Sequence, residues 1–141
     1  LKLFLDTNVV LDVLADREPF AEDAAGVLSV IERGEAEGFV AAHTATTVFY
    51  LLQKELGLRR AKRALMDILK LVGVVAVDHD RLLQALAMNW KDFEDAVQAA
   101  CAAKIDADYI ITRNQDDFSG AEVPTRSPAE YLALHGATSE D

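Results

Sequence analysis

Leu3-Phe4-Leu5-Asp6-Thr7-Asn8, followed by Val9-Val10-Leu11-Asp12-Val13-Leu14-Ala15, is the stretch that decides the fold class. The apolar run over 3–5 is too short for a helix and stops at a carboxylate, whereas positions 9, 10, 11, 13 and 14 resume apolar residues at helical spacing. The pattern predicts a buried strand, a turn and a short helix. A carboxylate that ends such a strand must be paired, capped or bound to metal.

The same alternation recurs downstream. Apolar positions 20, 24, 27, 28 and 31 predict a helix, with Pro19 in its first turn and Gly34 as its stop. Phe39-Val40-Ala41-Ala42 reads as a second strand. Thr44-Ala45-Thr46-Thr47 offers capping hydroxyls for a helix carrying Val48, Phe49, Leu51, Leu52 and Leu56, which Gly57 ends. An amphipathic helix over 59–72 follows, ended by Gly73, then a third strand, Val74-Val75-Ala76-Val77, and a helix with Leu82, Leu83, Leu86 and Trp90. Asp92 opens an alanine-rich helix. Tyr109-Ile110-Ile111-Thr112 is a fourth strand, and a turn over 113–120 leads to extended Val123-Pro124-Thr125 and a last helix from Pro128. Short strands alternating with longer helices predict one α/β domain over 1–135, built on a mainly parallel sheet of four to five strands. A frayed polar tail is expected over 136–141.

Composition bounds the function. The 141 residues suit a single domain that buries roughly 68–70% of its unfolded surface. A hydrophobic share of 51% excludes a disordered acidic chain. The one cysteine, Cys101, excludes a disulfide framework or a cysteine-based zinc cluster and is most simply a small packing residue. The longest apolar stretch, Leu71 to Val77, falls well short of the roughly 20 residues of a membrane helix. Asp6 also arrives before any secretory apolar region could form, so a cytoplasmic protein with no membrane partner is expected. The net charge of −10 argues against a uniformly basic face for nucleic acid.

In open α/β sheets ligands bind beyond the carboxyl ends of the strands, where the winding direction reverses. That rule selects Asp6, then Asp92 and Asp95 at the start of the alanine-rich helix, then Asn114, Asp116 and Asp117 beyond the fourth strand. Asp92 also suits an N-cap and Asp95 the N3 position of a capping box; aspartates in a turn also serve local hydrogen bonding. Thr112 and Asn114 add oxygens that could orient a carboxylate. Gathered carboxylates repel unless a proton or cation intervenes, and an oxygen-only donor set points to Mg²⁺ or Mn²⁺. Such a site suits phosphodiester hydrolysis.

Three segments together resemble the PIN domain family: Phe4 to Asp12, Trp90-Lys91-Asp92-Phe93-Glu94-Asp95-Ala96, and Ala107 to Phe118 with its Thr112-Arg113-Asn114-Gln115-Asp116-Asp117-Phe118 ending. The resemblance spans nearly the whole chain. It implies a three-layer α/β/α sandwich, a Mg²⁺ or Mn²⁺ site and cleavage of single-stranded RNA; many small members are toxins of toxin-antitoxin pairs, which implies a protein antitoxin as partner. Carried over, Asp6, Asp95 and Asp117 are the catalytic metal ligands, Asn8 and Thr112 polar supports, Asp92 an extra acid, and Asn114 stands where many members have another aspartate. One departure matters: many active members carry a glutamate at the start of the helix after the second strand, where Thr47 stands here. With Asn114 this leaves the site poorer in charge, which implies weaker metal binding and low or absent activity.

Other residues bear on partners. Arg17 and Arg113 are the single candidates for phosphate, and His43 is a further substrate contact at the end of strand two. Arg59, Arg60, Lys62 and Arg63, extended by Lys54, are either a solvated helix face or an RNA-backbone contact. Asp78 and Asp80 around His79 suit helix capping more than a metal cluster. Apolar helical surfaces point to a homodimer. Two rival classes compete: a binding module of the same fold without hydrolysis, and a haloacid-dehalogenase-like phosphatase, which needs a second aspartate where Asn8 stands. A receiver domain would need a lysine after a later strand, where only Arg113 is present.

Overall fold

The computed structural model describes residues 1–139, with side chains through 135. Five strands, all parallel, form one sheet in the order β3-β2-β1-β4-β5. They are β1 (Lys2–Leu5), β2 (Glu37–Ala41), β3 (Val72–Val75), β4 (Tyr109–Ile111) and β5 (Thr125–Arg126). The helices are α1 (Thr7–Leu14), α2 (Ala21–Glu32), α3 (Ala42–Leu56), α4 (Leu58–Leu71), α5 (His79–Ala87), α6 (Phe93–Lys104) and α7 (Pro128–Ser139), with a 3₁₀ turn at Gln115–Phe118. None of the described helices is long and apolar enough to cross a membrane. Of the frayed polar tail expected over 136–141, residues 136–139 instead continue α7, and 140–141 lie outside the described residues.

Successive strand residues point to opposite faces, and the central strands are apolar on both because both faces are covered. Leu3, Leu5 and Ile111 pack into one core with Val9, Val27, Val48, Leu52, Ile68 and Tyr131, from helices α1, α2, α3, α4 and α7. Phe4 and Ile110 face the other core, where Ala85 of α5 and Ala96, Ala99 and Ala102 of α6 lie. Small side chains bring α6 close to the sheet. This is the expected three-layer α/β/α sandwich.

Winding runs from β1 outward through β2 to β3, then crosses back to β4 on the opposite side of β1. The switch point therefore lies between the carboxyl ends of β1 and β4. Asp6 N–H donates to the Ile111 carbonyl at 3.0 Å, continuing the ladder one step past the strands. Asp6 and Thr112 are thereby held side by side at that opening.

Several expected elements shift, the second strand from 39–42 to 37–41 and the extended segment from 123–125 to 125–126 among them, and two further shifts have a clear physical cause. The third strand occupies 72–75 rather than 74–77, because it pairs Val72 with Gly38 and Val75 with Ala41. An unbroken apolar run cannot set register alone, and Gly73, expected as a helix stop, is instead needed inside the strand: a Cβ there would come within 2.9 Å of the Phe39 ring. Helix α3 begins at Ala42, before the threonines, with no capping side chain at Ala41. Thr46 Oγ1 donates back to the His43 carbonyl at 2.9 Å, so its hydroxyl serves the helix interior. Gly57 does end that helix, with φ of +85°, a value that favours glycine.

Candidate active site

Asp6, the residue that ends β1, is 2% exposed. Its Oδ1 accepts from Gln98 Nε2 at 3.0 Å and its Oδ2 from Thr112 Oγ1 at 2.9 Å. Burial raises its pKa; hydrogen bonds from Gln98, Thr112 and the Asn8 backbone, with the charge of Arg113, oppose that rise. A carboxylate has about four lone-pair positions, so three hydrogen bonds leave about one to offer a ligand.

The groups around Asp6 are themselves fixed. Gln98, fully buried on α6, accepts at Oε1 from the Thr7 N–H at 3.0 Å, which orients its amide with nitrogen toward Asp6. Thr7 Oγ1 is 2.9 Å from Thr44 Oγ1. Asn114 N–H donates to Thr112 Oγ1 at 3.0 Å, so that hydroxyl accepts one hydrogen bond while donating another to Asp6. Five elements, β1, α1, α3, α6 and the segment after β4, thus meet in one polar network at the carboxyl ends of the central strands.

Asp95 stands differently. It is half-buried in the first turn of α6, where Asp92 is the N-cap and accepts from the Asp95 N–H at 3.0 Å. Its carboxyl is pushed up to about 7, first by burial and then by the negative charges of Asp92, Asp6, Asp117 and Glu94. Glu94 is raised too, by burial and by Asp92 and Asp6. Asp117 lies exposed in the 3₁₀ turn, its N–H donating to the Asn114 carbonyl at 3.0 Å. The acids therefore share one field. Among the described residues, no three Asp, Glu, His or Cys side chains converge as a ready-formed metal cage.

The arginines occupy other positions. Arg113 Nε donates to Asp12 Oδ2 at 2.8 Å, and its guanidinium lies 4.1 Å from the Phe20 ring centroid. Asp12 is 1% exposed, so this pair closes a buried charge. Arg17 sits 3.9 Å from Glu55 of α3 on the surface and is not among the charges acting on Asp6 or Asp95. Asp78 caps α5 by accepting from the Arg81 N–H at 2.9 Å. Burial holds the His43 pKa below its ordinary value and pushes the Cys101 thiol up to about 11, an inert packing state.

Gln98, Thr44, Asp12 and Glu94 are the polar groups that sequence patterns did not single out. Gln98 follows Asp95 by three positions on one helix, which places both on one face. Asp12 interrupts an apolar helix, a sign that it needs a partner. Thr44 could not be recognised before the start of α3 was known.

Among curated proteins, none matches the chain by sequence. Solved structures do share its fold. VapBC2 from Rickettsia felis, determined bound to a DNA fragment from their promoter, aligns with a TM-score of 0.69 at 11% identity, covering 90% of this chain and 98% of that chain. Mycobacterium tuberculosis VapC20, a Sarcin-Ricin loop cleaving toxin, aligns at 0.67 and 18% identity over 84% and 94% of the two chains. A toxin-antitoxin complex from Klebsiella pneumoniae aligns at 0.68 and 22% identity over 89% and 97%. At such identities the likeness is one of fold. The sequence profile of the PIN domain matches residues 2–116, most of the chain, and sets aside the phosphatase and receiver alternatives. With Asp6 at its switch point and the Asp95 and Asp117 segments beside it, the chain belongs to the PIN domain family.

Proposed function

We propose that this single PIN domain is a metal-dependent endoribonuclease that cleaves single-stranded RNA in the cytoplasm, as the toxin of a toxin-antitoxin pair. The observation that carries the proposal is the state of Asp95. Burial and the carboxylates of Asp92, Asp6, Asp117 and Glu94 push it up to about 7, a cost the protein bears where a divalent cation would relieve it. The oxygen-only donors fit a hard ion, and Asp6, Asp95 and Asp117 are the residues that would hold Mg²⁺ or Mn²⁺. When bound, the ion supplies activation of a water and charge neutralisation at the phosphodiester.

The chain's own groups divide the remaining work. Gln98 and Thr112 hold the Asp6 carboxylate in one orientation, as outer partners of a ligand do. Asp95, which without the ion holds its proton up to about 7, would release that proton on taking the cation, so the ion should load more readily as pH rises toward that value. Asp92 fixes the start of the helix that presents it. Asn8, Asn114, Arg113 and Arg17 complete the proposed substrate or support set, with Arg113 acting from its place against Asp12. The toxin and the toxin-antitoxin complex that share its fold support a protein antitoxin as partner. Apolar side chains left exposed on α5, Leu83 at 53% and Leu86 at 60%, support a homodimer.

A second reading, a binding module without hydrolysis, is favoured by one observation: α3 brings the hydroxyl of Thr44 to the network and contributes no carboxylate. Incubating the purified protein with single-stranded RNA and Mn²⁺ decides between them. Cleavage that disappears in both Asp6→Asn and Asp95→Asn supports the nuclease. Intact RNA with the wild-type protein, or cleavage that survives both substitutions, overturns it.

A further inference from the structure

Three cavities share lining residues in sequence, and together they form one track around the loop that follows β4. The first, about 160 Å³, is lined by Asp12, Pro19, Phe20, Arg113 and Pro128 among others. It is smaller than the roughly 300–1,000 Å³ of a drug-sized pocket, so it suits a single ring system. Arg113 passes it on to a second cavity of about 410 Å³ along Arg113–Asp117. Asp116 and Asp117 pass that one to a third, about 330 Å³, whose other walls include Trp90, Lys91, Asp92 and Gly120. The track therefore runs past two of the candidate acids, Asp117 and Asp92, with open space on either side of them.

Each end carries an aromatic ring that the core does not need in full. Phe20 is 40% exposed and braced by the Arg113 guanidinium at 4.1 Å. Trp90 is half-buried, set edge-on to Phe118 with centroids 6.0 Å apart and planes at 80°. Gly120 packs against the indole and helps set its position, since a Cβ there would lie 3.2 Å from Trp90 Nε1. Lys91, exposed beside Trp90, provides a cation at that end, while at the other Arg113 is held by Asp12 and braces the Phe20 ring.

Single-stranded nucleic acid is bound by such a combination: aromatic faces on which unpaired bases stack, with cations along the backbone between them. We propose that Phe20 and Trp90 are two base-stacking platforms that hold a single strand on either side of the phosphate presented to Asp117 and Asp92. The proposal rests on the nuclease reading for the identity of the strand but concerns how the strand is seated. Stacking uses a face that every base has, so this seating discriminates unpaired from paired strands rather than one base from another. The net charge of −10 fits the same picture. Grip comes from two rings and the Lys91 cation, with a divalent ion needed to let phosphate pass the acids.

Trp90 is the chain's one tryptophan, so its emission reports the platform directly. The wild-type protein in Mg²⁺ is titrated with an uncleavable phosphorothioate single strand, following Trp90 emission and, separately, the anisotropy of the labelled strand. Expected are saturable quenching with the single strand, none with the matching duplex, and affinity lower on the order of tenfold in Phe20→Ala and in Trp90→Ala, with Trp90→Phe close to wild type. Thermal melting of each variant separates lost stacking from lost folding, and Phe20, at the surface, should melt as wild type. Binding without a change in Trp90 emission, equal quenching by duplex, unchanged affinity in Phe20→Ala, or no binding at all overturns the platforms. RNA cleavage alongside silent Trp90 emission and unchanged Phe20→Ala affinity defeats this seating and leaves the nuclease standing. Quenching and weaker Phe20→Ala binding without any cleavage support the platforms and defeat the nuclease.

Discussion

Asp6 and Asp95 carry the same carboxyl group into one crevice and meet opposite treatment. Asp6, at the end of a central strand, is enclosed and bonded at both oxygens by Gln98 and Thr112. Asp95, in the first turn of α6, has its backbone held by the Asp92 cap while its carboxyl faces Asp92, Asp6, Asp117 and Glu94. Burial raises both pKa values; hydrogen bonds oppose the rise at Asp6, whereas neighbouring charges add to it at Asp95. The contrast separates a group built for position from a group built to respond. Rigid hydrogen bonding sets where a ligand atom sits, and unrelieved repulsion sets how strongly the cluster draws a cation or a proton.

The largest expected effect tests the responsive half. Asp95→Asn removes the tuned carboxyl and should lower RNA cleavage on the order of 10²–10⁴-fold, measured as initial rate in Mn²⁺. The fold should survive, because the Asp92 cap bonds the backbone N–H and not the side chain. A variant that cleaves as well as wild type would break the comparison at its functional end.

Thr112→Val tests the positional half. It keeps the shape of the side chain but strips a donor from Asp6 and an acceptor from the Asn114 N–H. Stability should fall by about 1–3 kcal/mol in urea denaturation, the cost of leaving buried polar groups unpaired. Cleavage should fall about 10–100-fold, as when an outer partner of a ligand is lost. Loss of activity with no loss of stability would show that Thr112 acts on substrate and not through Asp6.

A smaller effect sharpens the contrast through pH. In the folded, metal-free protein Asp95 holds its proton up to about 7, against an ordinary value of 3.8. Between those values the native state binds a proton that the unfolded chain has released, so stability falls as pH rises through the window. The melting temperature of wild type relative to Asp95→Asn should therefore decline from pH 4 to 7 in chelator. A flat difference would mean that Asp95 is not under the charge load described.

The smallest expected effect lies outside the crevice. Arg17→Ala removes a surface ion pair with Glu55 whose side chains are 33% and 51% exposed. It should change stability by less than about 1 kcal/mol. A fall in cleavage with unchanged stability would support Arg17 as a substrate contact, and unchanged cleavage would take it out of the proposed set.

Much of the site was legible before the fold was known, for identifiable reasons. Asp6 interrupts an apolar strand, and the Asp92-to-Asp95 spacing has the form of a helix start. Both signals are local. Gln98 was not legible, because a polar residue among alanines is as compatible with a solvent face as with a buried one, and only the packing of α6 on the sheet places it against Asp6. The place of Thr44 in the network depends on where α3 starts, and the Arg113 pair with Asp12 spans 101 positions in sequence, beyond any local signal.

Local periodicity and the residues at strand ends were enough to determine an α/β domain, its switch-point aspartate and the acid-rich start of α6. These follow from side-chain chemistry acting within a few positions. Tertiary structure alone decided the register of β3, the Gln98 and Thr112 clamp on Asp6, the Arg113 pair with Asp12 and the mutual charge load on Asp95. Each depends on the separation of groups far apart in the chain. Hydrogen bonds act only near 3 Å, and Coulomb energy depends on distance and on burial from water. The packed sheet sets those distances and that burial.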